Sequence, residues 1–395
     1  VVAARLADPA FDARAHAPDL WDKWALRELD ANAKLAEARV EPHPYLGYAL
    51  KPGFRTPPSA PLQASHNSYG LRGREVARAK PAGVLRIVTL GGSSVYGSQD
   101  SNDESVWSAR LERLLAASRP ELHVEVVNGG CIGYSSHEML VNYALRLADL
   151  SPDVLVVYEA INDMRTALYT RSGVPVQPDN THYRTAWISE RPGPLDTLAE
   201  TSRAYLVWKR YFTERGRTAS DLYAFIQRNY GDPSAGAWYC DSTQWPDGRV
   251  PEQGFANYRR NLNSLISIAD AAGVRVVLAT QALIRRHTAN EFCRETQLAA
   301  FDRIQAIERE VAAERAIGLC DCGPIIAAEV ERVFQSSPGH THDGEEARAP
   351  EHRRCQRGDD GAWRQDLLFH NDVHPYDAGS DLIARTIAAW LAREL

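Results

Sequence analysis

The feature that most constrains this chain is a series of short apolar runs, each ending abruptly and each separated from the next by a stretch of helical period. Leu85-Arg86-Ile87-Val88-Thr89-Leu90 stops at two glycines, and Val124-Glu125-Val126-Val127 stops at Asn128-Gly129-Gly130. Val154-Leu155-Val156-Val157-Tyr158, Val274-Arg275-Val276-Val277-Leu278-Ala279 and Ile317-Gly318-Leu319-Cys320-Asp321 follow. Runs this short and this apolar predict strands buried on both faces. Between them, Ser105 to Leu115, Glu138 to Leu150, Tyr258 to Ala272 and Ala299 to Arg315 carry helical spacing, and Asp377 to Leu395 closes the chain with an amphipathic helix. Strands alternating with helices imply a parallel sheet covered on both faces.

Other stretches break that rhythm. Residues 1–40 are rich in Ala and Leu, and Trp21, Trp24 and Leu29 recur near helical spacing, so they read as one or two amphipathic helices. Pro42, Pro44, Pro52, Pro57, Pro58 and Pro61 make 41–82 an extended segment laid over a surface. Residues 1–82 are thus an N-terminal helical and extended segment, and 83–395 form the α/β domain. An insertion at 166–250 carries many aromatics, among them Trp187, Trp208, Trp238 and Trp245. They read as the insertion's own core, with a lid or sugar-stacking wall as the alternative. Residues 336–362 are polar and turn-rich, a loop excursion that includes His340, His342 and Asp343.

Composition excludes some classes. Net charge is −6 and the sequence pI about 6.1, so no basic surface is implied and nucleic acid is not an expected partner. No apolar run approaches the ~20 residues that span a bilayer. The sequence opens on Val1 without a methionine, which suggests that an upstream signal peptide or membrane anchor has been removed. The six cysteines leave the pairing open: Cys131 reads as a small buried residue, while a disulfide among Cys240, Cys293, Cys320, Cys322 and Cys355 would fit an oxidising compartment. Cys320-Asp321-Cys322 has no second pair at zinc spacing, so neither metal nor cofactor is expected.

Four motifs carry chemistry. Gly91-Gly92-Ser93-Ser94 puts a serine on a strand-to-helix turn, at the edge where open α/β sheets bind ligands. The Walker lysine pattern is absent, which argues against phosphate binding. Asn371-Asp372-Val373-His374-Pro375 places His374 in a loop before the last helix, where it can return to that edge as a general base for Ser93. Asp372, two residues upstream, can orient the imidazole. Gly133, in Asn128-Gly129-Gly130-Cys131-Ile132-Gly133, and Asn162, in Ala160-Ile161-Asn162-Asp163, are candidate donors to an oxyanion, together with the Ser93 N–H. Taken singly, each motif is an ordinary turn or cap. Their conjunction at one sheet edge is what points to acyl transfer. Asp163 reads as a brace for its loop. Arg165 by default makes an ion pair, and alternatively meets a substrate anion.

This set of blocks resembles the SGNH hydrolases, the GDSL esterase/lipase family. Gly92 stands where many members have Asp, and Ala160 replaces the usual glycine. Asn371 stands three before His374, where Asp is common, so Asp372 is chosen as the third triad member; were Asn371 to face the histidine, the imidazolium would be less well stabilised. The resemblance covers about residues 83–165 and 256–395. The stretch Asn67-Ser68-Tyr69-Gly70-Leu71-Arg72-Gly73 is similar to an extension of extracytoplasmic members that often begin with a membrane anchor. It implies a three-layer α/β/α, flavodoxin-like fold with a parallel five-stranded sheet, no metal, and an extracytoplasmic serine esterase. Ser93, Asp372 and His374 would be catalytic, with Ser93, Gly133 and Asn162 forming the oxyanion hole. The expected substrate is a small-molecule or glycan acyl ester, such as a carbohydrate O-acetyl ester or a short-chain ester. The rivals are an acyltransferase using the same residues, and a degenerate module that binds a glycan or protein.

Overall fold

The computed structural model describes residues 39–43, 45–168, 176–180, 250–287, 294–337, 355–357 and 363–395. The helices expected before residue 39, the aromatics of the insertion, and His340, His342 and Asp343 lie outside the described residues. The five apolar runs become β3 (Val84–Leu90), β4 (His123–Asn128), β5 (Val154–Val157), β6 (Arg275–Ala279) and β7 (Gly318–Cys320), preceded by a hairpin of β1 (Val40–His43) and β2 (Gly47–Leu50). β3 to β7 form one parallel sheet in the order β4-β3-β5-β6-β7. This is the doubly wound, flavodoxin-like order, and its direction reverses between β3 and β5.

The sheet is apolar on both sides because successive residues of a strand face opposite ways. Val88, Leu90, Val127, Leu155 and Val157 join one core, with Met139, Met164, Leu262 and Phe301 from α3 (Ser136–Asn142), α4 (Ile161–Leu168), α5 (Glu252–Ala271) and α6 (Arg294–Arg315). Ile87, Val126, Val154, Val156 and Val277 join the other, with Trp107, Ile326 and Ile387 from α2 (Trp107–Ser118), α7 (Gly323–Ser336) and α8 (Asp377–Glu394). The result is three layers, α/β/α.

Several boundaries shift for local reasons. The helix expected from Glu138 starts at Ser136, because Ser135 and Glu138 form a reciprocal capping box. It then widens into a π turn over Tyr143–Leu147 and closes as a 3-10 turn over Ala148–Leu150. α4 and α7 had no counterpart in the sequence reading; α7 buries Ile326, Val330 and Phe334 at four-residue intervals after a proline in its first turn. The proline-rich stretch forms the β1–β2 hairpin and then runs irregularly to β4, where Arg72 pairs with Asn128. Cys131, Cys320 and Cys322 are buried free thiols, so the latter two take no part in the pairing the sequence left open. Among the described residues, no helix is long and apolar enough to cross a membrane.

Candidate active site

Ser93 sits where β3 ends, at the start of the one-turn helix α1 (Ser93–Tyr96). The two preceding glycines are required by crowding. A Cβ on Gly91 would lie 2.3 Å from Val95 Cγ2 and 2.4 Å from the Tyr158 carbonyl oxygen. One on Gly92 would lie 2.4 Å from Asn162 Nδ2 and 3.1 Å from the Tyr134 carbonyl oxygen. The turn carrying Ser93 therefore touches both loops that carry the donor candidates.

The other end of the turn is held by a residue the sequence reading did not single out. Arg72 is buried, and its Nη1 donates to the carbonyl oxygens of Tyr96, at 3.1 Å, and Gly97. Its Nε pairs with Asp103 at 2.8 Å and its Nη2 donates to the Gln63 carbonyl at 3.0 Å. The proline-rich segment is thus part of the site's scaffold. The signal was the Asn67-to-Gly73 stretch, which carried no role for its arginine.

His374 reaches Ser93 from 281 residues away: the Ser93 hydroxyl and His374 Nε2 are 2.6 Å apart. The expectation for Asp372 requires correction. His374 Nδ1 lies 2.9 Å from Asn371 Oδ1, and the same oxygen accepts the N–H groups of Val373, at 3.1 Å, and His374, at 3.0 Å. Asn side chains fold back on the backbone two residues ahead, and here that turn carries the amide oxygen under the imidazole. Among the described residues no hydrogen bond joins Asp372 to His374; Asp372 instead receives the Ile284 N–H on its backbone carbonyl at 2.8 Å. Because Asn371 Oδ1 takes backbone donors as well, it is an acceptor. Nδ1 then carries the proton, and Nε2 is free to receive one from Ser93. Burial, then the positive charge of Arg165, then His370 push the imidazole's pKa down to about 3. Among the described residues no carboxylate opposes them.

The donor candidates lie beside this pair. Asn162 opens α4, and its Nδ2 donates to the Tyr134 carbonyl at 2.9 Å. Gly133 has φ +75, a left-handed conformation suited to glycine. Its loop is held by the hairpin: Tyr48 hydroxyl donates to the Ile132 carbonyl, and Tyr134 hydroxyl donates to the Tyr48 carbonyl at 2.7 Å. Asn128 pins the same block to α1, donating to the Val95 carbonyl at 2.8 Å. Asp163 accepts from the Ser136 N–H at 2.7 Å and from the Ser136 hydroxyl at 2.5 Å, a bracing arrangement. Its burial pushes its carboxyl up to about 7.

Gln281, just past β6, also escaped the sequence reading. Its Oε1 accepts the N–H groups of Ala160, at 3.0 Å, and Ile161, at 2.9 Å. Its Nε2 donates to the Ser94 hydroxyl at 3.0 Å, which donates to the Val373 carbonyl at 2.9 Å. One buried amide thereby links the Asn162 loop, the serine turn and the histidine loop. Among the described residues, no group of three or more His, Cys, Asp or Glu side chains is placed to hold a metal.

No family model matches the sequence, and no curated protein matches it. Solved structures do. LAE5, an alpha/beta hydrolase enzyme from the metagenome of Lake Arreo, Spain, is 16% identical over 77% of this chain and 94% of its own, with a TM-score of 0.40. A catalytic mutant of Axe2, an acetylxylan esterase from Geobacillus stearothermophilus, is 14% identical over 78% of this chain and 94% of its own, also at 0.40. A two-domain esterase (CEX) active on acetylated mannans is 14% identical over 79% of this chain and 50% of its own, at 0.40.

Proposed function

We propose that this chain is a serine ester hydrolase of the SGNH type, with Ser93 as nucleophile, His374 as general base and Asn371 as the residue that orients the base. The observation that carries the reading is the continuous relay from Ser93 Oγ to His374 Nε2, 2.6 Å, and from His374 Nδ1 to Asn371 Oδ1, 2.9 Å. Ser93 Oγ attacks the acyl carbonyl carbon while its proton passes to Nε2. The negative charge that develops on the carbonyl oxygen is taken by the N–H groups of Ser93 and Gly133 and by the Asn162 amide. The imidazolium then returns the proton to the leaving alcohol, and water activated by the same nitrogen releases the acid from the acyl-enzyme.

A neutral third member supports such chemistry, as it does in Cys-His-Asn sites. Asn371 fixes the tautomer and ring orientation while leaving the imidazolium without a counter-charge. The substrate class is a small acyl ester, with O-acetylated carbohydrate and short-chain esters as the candidates. The test is hydrolysis of p-nitrophenyl acetate and butyrate by the wild type and by Ser93→Ala. Turnover that disappears in the variant supports the reading, and the ratio of the two rates sizes the acyl pocket. Labelling of Ser93 by a fluorophosphonate without ester turnover would redirect it to transfer onto an acceptor other than water. Neither labelling nor turnover would refute it.

A further inference from the structure

Gly92 poses a mechanical problem. It directly precedes the proposed nucleophile, and glycine is the residue least able to hold its own backbone in one place. Its ψ sets the direction of the Ser93 N–H, one of the proposed oxyanion donors. On the carbonyl side Gly92 is tied into the first turn of α1, accepting from Val95 at 3.2 Å and Tyr96 at 3.0 Å. On the amide side it is tied by a carboxylate: the Gly92 N–H donates to Glu159 Oε2 at 2.7 Å. The other oxygen of that carboxylate, Oε1, accepts the Asn162 N–H at 2.8 Å. Glu159 is fully buried, and its backbone carbonyl accepts the Tyr258 hydroxyl at 3.0 Å. A Cβ on Gly92 would lie 2.5 Å from Glu159 Oε2, so the carboxylate fills the space a side chain at position 92 would use.

We infer that Glu159 is a positioning residue, a two-pronged clamp that sets the serine turn against the Asn162 loop from below. The inference rests on the esterase reading above. The absent side chain at Gly92 and the buried carboxylate at Glu159 are two halves of one arrangement: glycine makes room for the clamp, and the clamp removes the freedom that glycine brings. The two clamped N–H groups belong to Gly92, one residue before Ser93, and to Asn162 itself. A shift in either misplaces an oxyanion donor relative to the attacking oxygen. Burial first, and the charge of Asp163 with it, push the Glu159 carboxyl up to about 8, against the two N–H bonds and the charge of Arg165, which favour the ionised form.

The test is Glu159→Gln, which keeps the shape but has one acceptor oxygen for two N–H donors and turns an NH₂ group against one of them. Misplacement on the ångström scale costs up to ~10²-fold in rate. The expected result is a fall in kcat on p-nitrophenyl acetate of about 10- to 100-fold with KM changed less than about threefold, the pattern of an interaction made in the transition state. Fluorophosphonate labelling of Ser93 should slow in proportion, with activity expressed per folded molecule from the thermal melt. The matched control is Glu308→Gln, an equally buried carboxyl that accepts at 2.7 Å from the same Tyr258 hydroxyl but bonds to neither loop; it should keep kcat. An active wild type with Glu159→Gln at full kcat would overturn the inference alone. So would an equal kcat loss in Glu308→Gln, or a change confined to KM. A wild type that neither labels nor turns over would remove the esterase reading and this inference with it.

Discussion

Replacing Asn371 with Asp puts a full negative charge where the structure has a neutral amide oxygen. The turn should survive, because Asp makes the same backbone bonds as Asn at such positions. In the wild type the imidazole's pKa is pushed from 6.5 down to about 3, by burial first and then by Arg165 and His370. Two unit charges ~4 Å apart attract by about 4 kcal/mol at an effective dielectric of ~20. At 1.36 kcal/mol per pKa unit that is roughly 3 units. Desolvation of the new carboxylate offsets part of it, so a rise of about 1–3 units is expected. The sign follows from the role proposed for His374: a general base must be neutral to accept the serine's proton, so activity falls as pH drops through its pKa. The acid limb of kcat/KM should therefore move up, from near 3 in the wild type to between about 4 and 6 in Asn371→Asp. At alkaline pH, where both proteins are neutral at His374, the variant should be the faster, by roughly 3- to 30-fold if half of the shift is felt in the transition state. The assay is the pH profile of kcat/KM on p-nitrophenyl acetate at constant ionic strength. A wild-type acid limb at the ordinary imidazole value of 6.5, unmoved by the substitution, would refute the reasoning.

Asn162→Ala should lower kcat by about 10²–10³-fold, as loss of one oxyanion donor does, with little change in KM; a drop of less than about tenfold would remove Asn162 from that role. Asp100→Asn tests burial at the edge of the site. Burial raises the Asp100 carboxyl from 3.8 to about 7, even though Ser380 and Arg72 favour its charged form. The native state then binds the proton more tightly than the unfolded chain, so stability falls as pH rises through that window, by roughly 4 kcal/mol in all. Asp100→Asn should remove that share of the decline and be the more stable protein at mildly alkaline pH. Urea unfolding at several pH values reads the difference, and parallel pH slopes would count against the argument.

Much of the scaffold was legible because its cause is local. A strand buried on both faces is apolar at most positions, so β3 to β7 announce themselves as runs, and the glycines after β3 and β4 mark the sheet edge where Ser93 and Gly133 sit. The histidine loop could be found from its position before the last helix. α4 could not be read, since Asn162-Asp163 looks like a turn until β5 delivers it to the sheet edge. Glu159 is not legible, because a lone glutamate beside a strand has no periodic signature. Gln281 and Arg72 are not legible either, because their partners lie in segments far apart in sequence.

The sequence by itself determined the layered α/β/α architecture, the order in which the chemical groups arrive, and which residue types are present to act. Those follow from periodicity, chain connectivity and the chemistry of each side chain. Only the tertiary structure decided which of two adjacent residues faces His374. Asn371 and Asp372 differ by one step along a turn, and the backbone geometry of that turn, anchored at Ile284 and Ser94, carries the amide oxygen and not the carboxylate to the imidazole. The chemistry of a carboxylate beside an imidazole favours Asp372, but the direction of a side chain at a turn is set by where the loop's backbone hydrogen bonds go.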